Sequence, residues 1–201
     1  MNSNWTSQHR LAFVGVAVLV TSFFALLVWE SSHSTDLNST GSVNNDFGRV
    51  AITERPAPNF TLMLFSGDTL ELSSLKGKIV MVDFWASWCP PCREEAPVLA
   101  TIYAEYRQHG VEFIGVDIWE QHRDDGVNYV AELGLVFPTG IDQKGDITVN
   151  YGVTGIPEKI FIDVNGIIVG KYQGPIDETQ LRATLNSLLG IAPSRIGNNT
   201  T

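Results

Sequence analysis

Ile79–Trp85 is a nearly unbroken β-prone run, and four residues later a Cys-x-x-Cys pair, Cys89 and Cys92, opens an apolar helical stripe. The stripe carries apolar residues at 96, 98, 99, 102, 103 and 106 and is closed by Gly110. A strand apolar on both faces belongs at the centre of a sheet covered on both sides. One that passes directly into an amphipathic helix is the first half of a strand–helix–strand unit. Val111–Ile118, again β-prone throughout, supplies the second strand.

The flanking pattern fits a single α/β domain with a mixed central sheet and helices on both faces. Asn59–Phe65 and Thr69–Leu72 around Ser66-Gly67-Asp68 read as an N-terminal hairpin. Val127–Leu133 and Ile147–Tyr151 read as helices. Ile160–Val164 and Ile167–Tyr172 bracket Asn165-Gly166, a strong two-residue hairpin signal. Ile176–Leu189, preceded by Pro175, closes the domain as an amphipathic helix. These elements delimit a domain over 53–190, followed by a polar tail over 191–201.

The other third of the chain has a different composition. Leu11–Trp29 contains no charge, and as a helix would span about 28 Å, close to a bilayer's hydrocarbon thickness. It is longer than a secretory signal core, and only Ser32-His33-Ser34 follows as a poor cleavage site. The expectation is an uncleaved anchor over 11–29. Arg10 is the one formal charge of the head, 1–10, which places that head in the cytoplasm and everything beyond Trp29 outside it. Residues 30–52 are expected to be a flexible linker: Ser, Asn, Thr, Gly and Asp fill 14 of the 18 positions in 31–48. The net charge of −9 resides in 53–190, where ten Lys and Arg face 19 Asp and Glu, an unfavourable surface for nucleic acid.

With two cysteines in 201 residues, neither a disulfide-stapled miniprotein nor a four-cysteine zinc site is available. His9, His33, His109 and His122 form no paired metal motif, and Arg93 stands where haem attachment would need a His. At a helix start the two sulfurs come within disulfide distance, and the dipole favours a thiolate on the first. Cys89 is therefore the expected nucleophile, and Cys92, one turn in and more buried, the resolving thiol. A metal-ligand pair, a structural disulfide and two core cysteines are the alternatives.

Asp83-Phe84-Trp85-Ala86-Ser87-Trp88-Cys89-Pro90-Pro91-Cys92, with Gly155-Ile156-Pro157 downstream, resembles the thioredoxin superfamily. The anchor, Arg93-Glu94-Glu95 and Gly155-Ile156-Pro157-Glu158 leading into Phe161-Ile162-Asp163 bring the chain closer to its membrane-anchored TlpA/ResA/DsbE-like branch. The resemblance implies a thioredoxin-like fold and thiol–disulfide exchange in cytochrome c maturation, on apocytochrome c, with no cofactor beyond the Cys89–Cys92 disulfide and no metal. It also implies a membrane dithiol carrier as electron donor. It further implies a cis Pro157 beside the sulfurs and an Ile156 backbone that pairs with the bound substrate chain.

Asp83, in an apolar strand, and Glu95, one turn beyond Cys92, are each candidates to take or return the resolving thiol's proton. Solvent-facing carboxylates are the alternative for both. Glu158 is expected at an acidic rim or as a plain surface residue, and Trp88 and Trp85 as packing and lid. Pro90 and Pro91 remove two amide donors from the first helical turn. Asp83, Glu95 and Glu158 add negative charge against Arg93 alone, so the Cys89 thiolate should be poorly stabilised and the enzyme a reductant. A disulfide oxidase or isomerase, and a Cu(I)-holding dithiol module, are the competing readings.

Overall fold

The computed structural model describes residues 17–26, 42–43 and 48–191. Residues 1–40 and 41–201 are two separate units. In the first, 17–26 are helical (α1), with Thr21 Oγ1 donating to the Ala17 and Val18 carbonyls. No helix among the described residues is long and apolar enough to cross a membrane. The remainder of the expected anchor, the head 1–10 and the tail beyond Ile191 lie outside the described residues.

The second unit is an α/β sandwich. Its strands are β1 (Ser42–Val43), β2 (Gly48–Val50), β3 (Arg55–Pro56), β4 (Thr61–Leu64), β5 (Thr69–Glu71), β6 (Ile79–Trp85), β7 (Val111–Asp117), β8 (Thr139–Ile141), β9 (Gly155–Ile156), β10 (Glu158–Ile162) and β11 (Ile167–Gln173). Its helices are α2 (Pro90–Tyr106), α3 (Arg123–Leu133), α4 (Asp146–Tyr151) and α5 (Glu178–Leu188). The large sheet runs β2-β11-β10-β6-β7-β8-β4-β5, with β3 also on β11. β6 pairs in parallel with β7 and antiparallel with β10, so the sheet is mixed and β6 is central.

Every residue of β6 is buried, and the alternation along β6 and β7 divides the core in two. Ile79, Met81, Val111 and Phe113 pack with Leu99, Ile102 and Tyr106 of α2 and Leu181 and Leu185 of α5. Val80, Val82, Phe84, Ile114 and Val116 pack on the other face with Tyr129 of α3 and Ile147 and Tyr151 of α4. Each such side chain contributes about 1.5–3 kcal/mol when buried, so β6 is held from both sides and its C-terminal end is a fixed platform.

The linker boundary needs correction. Gly48–Val50 pairs with β11, Ser42–Val43 pairs with β9, and Ile52 packs against the core, so the expected free stretch over 30–52 is partly built into the domain. Arg49, Val50 and Ile52 carry the β-edge character that the surrounding Ser/Asn-rich composition masks. β8 also escapes a pattern reading, because three residues between Pro138 and Asp142 are too few to show alternation.

Candidate active site

Cys89 caps α2: its backbone is extended (φ −88°, ψ 107°), and its Sγ accepts the Cys92 N–H at 3.3 Å. Pro90 and Pro91 occupy the first two helical positions, where their missing N–H groups break no helical bond. The Arg93 N–H reaches the Cys89 carbonyl at 3.2 Å. Cys89 and Cys92 are joined as a disulfide, with Cα atoms 5.3 Å apart. The expected difference in burial is not found: Cys89 is 0% and Cys92 2% exposed. Both sulfurs sit in the apolar cluster that holds Trp85, Ala86 and Ile156.

Asp83 and Glu95 are buried, so neither faces solvent. They converge on a residue that the sequence reading did not single out. Lys159 of β10 stands opposite Asp83 of β6 in register, wholly buried, with its Nζ 3.4 Å from Asp83 Oδ1. Lys159 also donates to Glu95 Oε1 and, at 3.4 Å, to the Gly174 carbonyl. The other Glu95 oxygen accepts the Ile176 N–H at 2.9 Å. Burial raises both acids above the ordinary carboxylate range and Lys159 pulls them back down; Glu95 is pushed up to about 7. With both acids ionised, two negative charges face one positive charge in a dry site. A single proton shared by the acids makes the cluster neutral.

Ile156–Pro157 is a cis peptide, and Gly155 and Ile156 are buried. Glu158 corrects its expected position. It is wholly buried rather than on a rim, ion-paired with Lys171 at 2.7 Å and accepting from Gln173 Nε2 at 3.2 Å. Its neighbours in β10 are buried as well, so the strand carries it inward. Trp85 is buried and stacked on Tyr129 with ring centroids 4.2 Å apart, and the Tyr129 hydroxyl donates to the Cys92 carbonyl at 2.9 Å. Trp88 is 45% exposed, and its Nε1 donates to the Trp119 carbonyl at 3.3 Å. Arg93, the expected counter-charge, instead pairs with Glu132 at 2.5 Å and lies over the Tyr129 ring.

A family model described as AhpC/TSA family matches residues 53–171. The chain belongs to that family. It is 36% identical over 135 residues to the thiol-disulfide oxidoreductase ResA of Bacillus thuringiensis subsp. konkukian, covering 67% of this chain and 77% of that protein. A thiol:disulfide interchange protein of the thioredoxin family from Chlorobium tepidum superposes with a TM-score of 0.64 at 28% identity, over 70% of this chain and all of that one. A secreted Mycobacterium tuberculosis disulfide oxidoreductase homologous to E. coli DsbE gives 0.58 at 26% identity, over 64% and 96%. The fold is thioredoxin-like, and the enzyme is a thiol–disulfide oxidoreductase of the ResA/DsbE type with a Cys-x-x-Cys pair.

This oxidoreductase holds further site residues that sequence reasoning missed. Lys159 was available to a charge argument, since two acids placed in apolar surroundings require a cation or a proton. Asp117 ends β7 and Glu120 lies on the loop that follows it. The Ser87 N–H, two residues before Cys89, donates to Glu120, while both oxygens of the buried Asp117 lack a hydrogen-bond partner. Burial first, then Glu120 and Asp125, push Asp117 up to about 9. Between them Trp119 takes φ 59°, a left-handed backbone that is costly for a bulky residue. No spacing in the sequence signals this loop.

Proposed function

We propose that the chain is an extracytoplasmic, membrane-anchored reductant of protein disulfides acting in cytochrome c maturation, with Cys89 as nucleophile, Cys92 as resolving thiol and the Asp83–Lys159–Glu95 cluster as proton site. The Cys89–Cys92 disulfide at the start of α2, with that cluster built around Glu95 one turn further on, carries the reading. In the dithiol form the Cys89 thiolate attacks a substrate disulfide, forming a mixed disulfide and releasing one substrate thiolate, which takes a proton. Cys92 gives its proton to the cluster and attacks Cys89 Sγ. The second substrate sulfur leaves as a thiolate and is protonated in turn. Two electrons pass to the substrate, and the enzyme's disulfide is restored. A membrane dithiol carrier then re-reduces it, with no further cofactor.

The span 11–29 and the positive head support the anchor and its orientation. The relatives named ResA and the neighbour homologous to DsbE support the pathway. The backbone edge of Gly155–Ile156 beside cis-Pro157 is the surface on which an extended substrate chain would pair, and Trp88, next to Cys89 in the chain, is an exposed aromatic. The reducing poise follows from the two missing amides of Pro90 and Pro91 and from a cluster that adds no net positive charge near the sulfurs.

Two measurements test the reading. Cys92→Ser protein should trap a mixed disulfide with substrate and Cys89→Ser should not; the reverse pattern would overturn the roles. Equilibration against glutathione or dithiothreitol buffers should give a potential nearer about −270 mV than about −120 mV. A value above about −180 mV would replace the reductase by an oxidase or isomerase.

A further inference from the structure

β9 lies immediately before the cis peptide, and in this chain its edge is taken. β1 pairs with it in parallel, Ser42 opposite Gly155 and Val43 opposite Ile156. These two strands form a sheet of their own, apart from the large one. β1 comes from the Ser/Asn-rich stretch, whose apolar residues Leu37, Val43 and Phe47 are too few to build a core. What such a stretch offers a strand edge is backbone, and an open edge is a template for any extended chain. The neighbouring nucleophile is closed too: Cys89 and Ile156 have no solvent exposure, although a disulfide from outside must reach Cys89 Sγ.

We propose that residues 42–43 are a resident occupant of the strand edge that substrate uses, so that the enzyme's own linker competes with substrate and yields only to an extended polypeptide. The proposal rests on Gly155–Ile156 being the substrate edge. Being on the same chain, β1 acts at an effective concentration in the millimolar range. A pairing whose dissociation constant is about a quarter of that concentration leaves about a fifth of the chains open, and substrate affinity falls by that fraction. A competitor held by a two-residue pairing is displaced by a longer continuous extended backbone, as an unfolded chain provides. A folded protein whose disulfide sits in a compact loop offers none. The closed edge therefore selects unfolded polypeptide disulfides as the substrate class.

The test uses the full chain in detergent micelles, wild type against the double variant Ser42→Pro/Val43→Pro, whose prolines remove both strand donors. For an unfolded, disulfide-bonded polypeptide the variant should show KM lowered about fivefold with kcat unchanged. Hydrogen exchange at 155–156 should quicken in the free variant. In the Cys92→Ser chain with its native linker, trapping the polypeptide should expose the amides of 42–43. An unchanged KM, or 42–43 still protected in the trapped complex, overturns the competition. Trapping on a chain carrying Cys92→Ser and both prolines separates the two readings. Protection regained at 155–156 shows that the edge takes substrate whatever the linker does. No protection there shows that the substrate-edge reading itself is at fault, and the competition falls with it.

Discussion

Two buried acid sites act on Tyr129, and they solve the same problem in different ways. Asp83 and Glu95 sit against Lys159, a cation carried in by the next strand of the sheet. Asp117, opposite Trp85 in the β6–β7 register, has acids for neighbours and no hydrogen-bond partner, and stays neutral by keeping its proton. Asp83, Glu95 and Asp117 all raise the Tyr129 hydroxyl, after burial itself, as Tyr129 stacks on Trp85 and holds the Cys92 carbonyl. The difference teaches what each site can do. An acid balanced by a lysine, with Glu95 near 7, can give and take a proton at working pH. An acid held near 9 by burial among other acids stays neutral over the same range and moves no proton.

The comparison is broken most severely by removing the cation. Lys159→Met leaves two buried acids without a counter-charge, and breaking a buried pair costs about 3–5 kcal/mol. The acids then rise further and bind protons that the unfolded chain has already released. The loss should therefore be largest at pH 8 and shrink towards pH 5, where both acids are protonated. Urea unfolding of the two proteins at those pH values measures it. A loss independent of pH would mean that Lys159 serves as packing alone.

Glu95→Gln sharpens the same contrast with a smaller effect. It keeps the Ile176 amide's acceptor and removes the titrating carboxyl. Resolution of the transient mixed disulfide by Cys92 should slow about tenfold at pH 7, less than the roughly 10²–10⁴-fold of a sole general base because Asp83 can take the proton in its place. The Cys92 thiol should titrate lower, because a nearby negative charge is gone. An unchanged resolving rate would assign the proton to Asp83 or to solvent.

The sequence shows the strand–Cys-x-x-Cys–helix junction plainly, because the β run, the cysteines and the helical stripe are each local patterns. Asp83 and Glu95 stand out for the same reason, as charges at apolar or helix-facing positions. Lys159 does not. A lysine in Glu158-Lys159-Ile160-Phe161-Ile162 reads as one solvent-facing residue of a strand, and only the β6–β10 register turns it towards Asp83. Glu158 misleads for the mirror reason: its partner Lys171 is 13 positions away, brought beside it by the β10–β11 hairpin. The pairing of 42–43 with β9 is equally invisible, since a backbone contact across more than a hundred residues leaves no mark on side-chain pattern.

The smallest expected effect at low pH tests the neutral acid. Gly126 of α3 lets the helix close on Asp117: a Cβ there would stand 2.2 Å from Asp117 Oδ2, so no larger residue fits and water has little room beside the carboxyl. The folded protein therefore keeps this proton up to about pH 9, whereas the unfolded chain releases it near pH 4. Between those values the native state binds the extra proton, so stability falls as pH rises. Asp117→Asn presents a nearly isosteric neutral group with no proton to lose. It should leave stability at pH 4 almost unchanged, raise it towards pH 8 by about 1.4 kcal/mol for each pH unit over which wild type holds the proton, and flatten the slope between. Urea unfolding across that range reads the result. A variant less stable than wild type at pH 8 would show that Asp117 is ionised in the fold, and the two acid sites would then differ only in their partners.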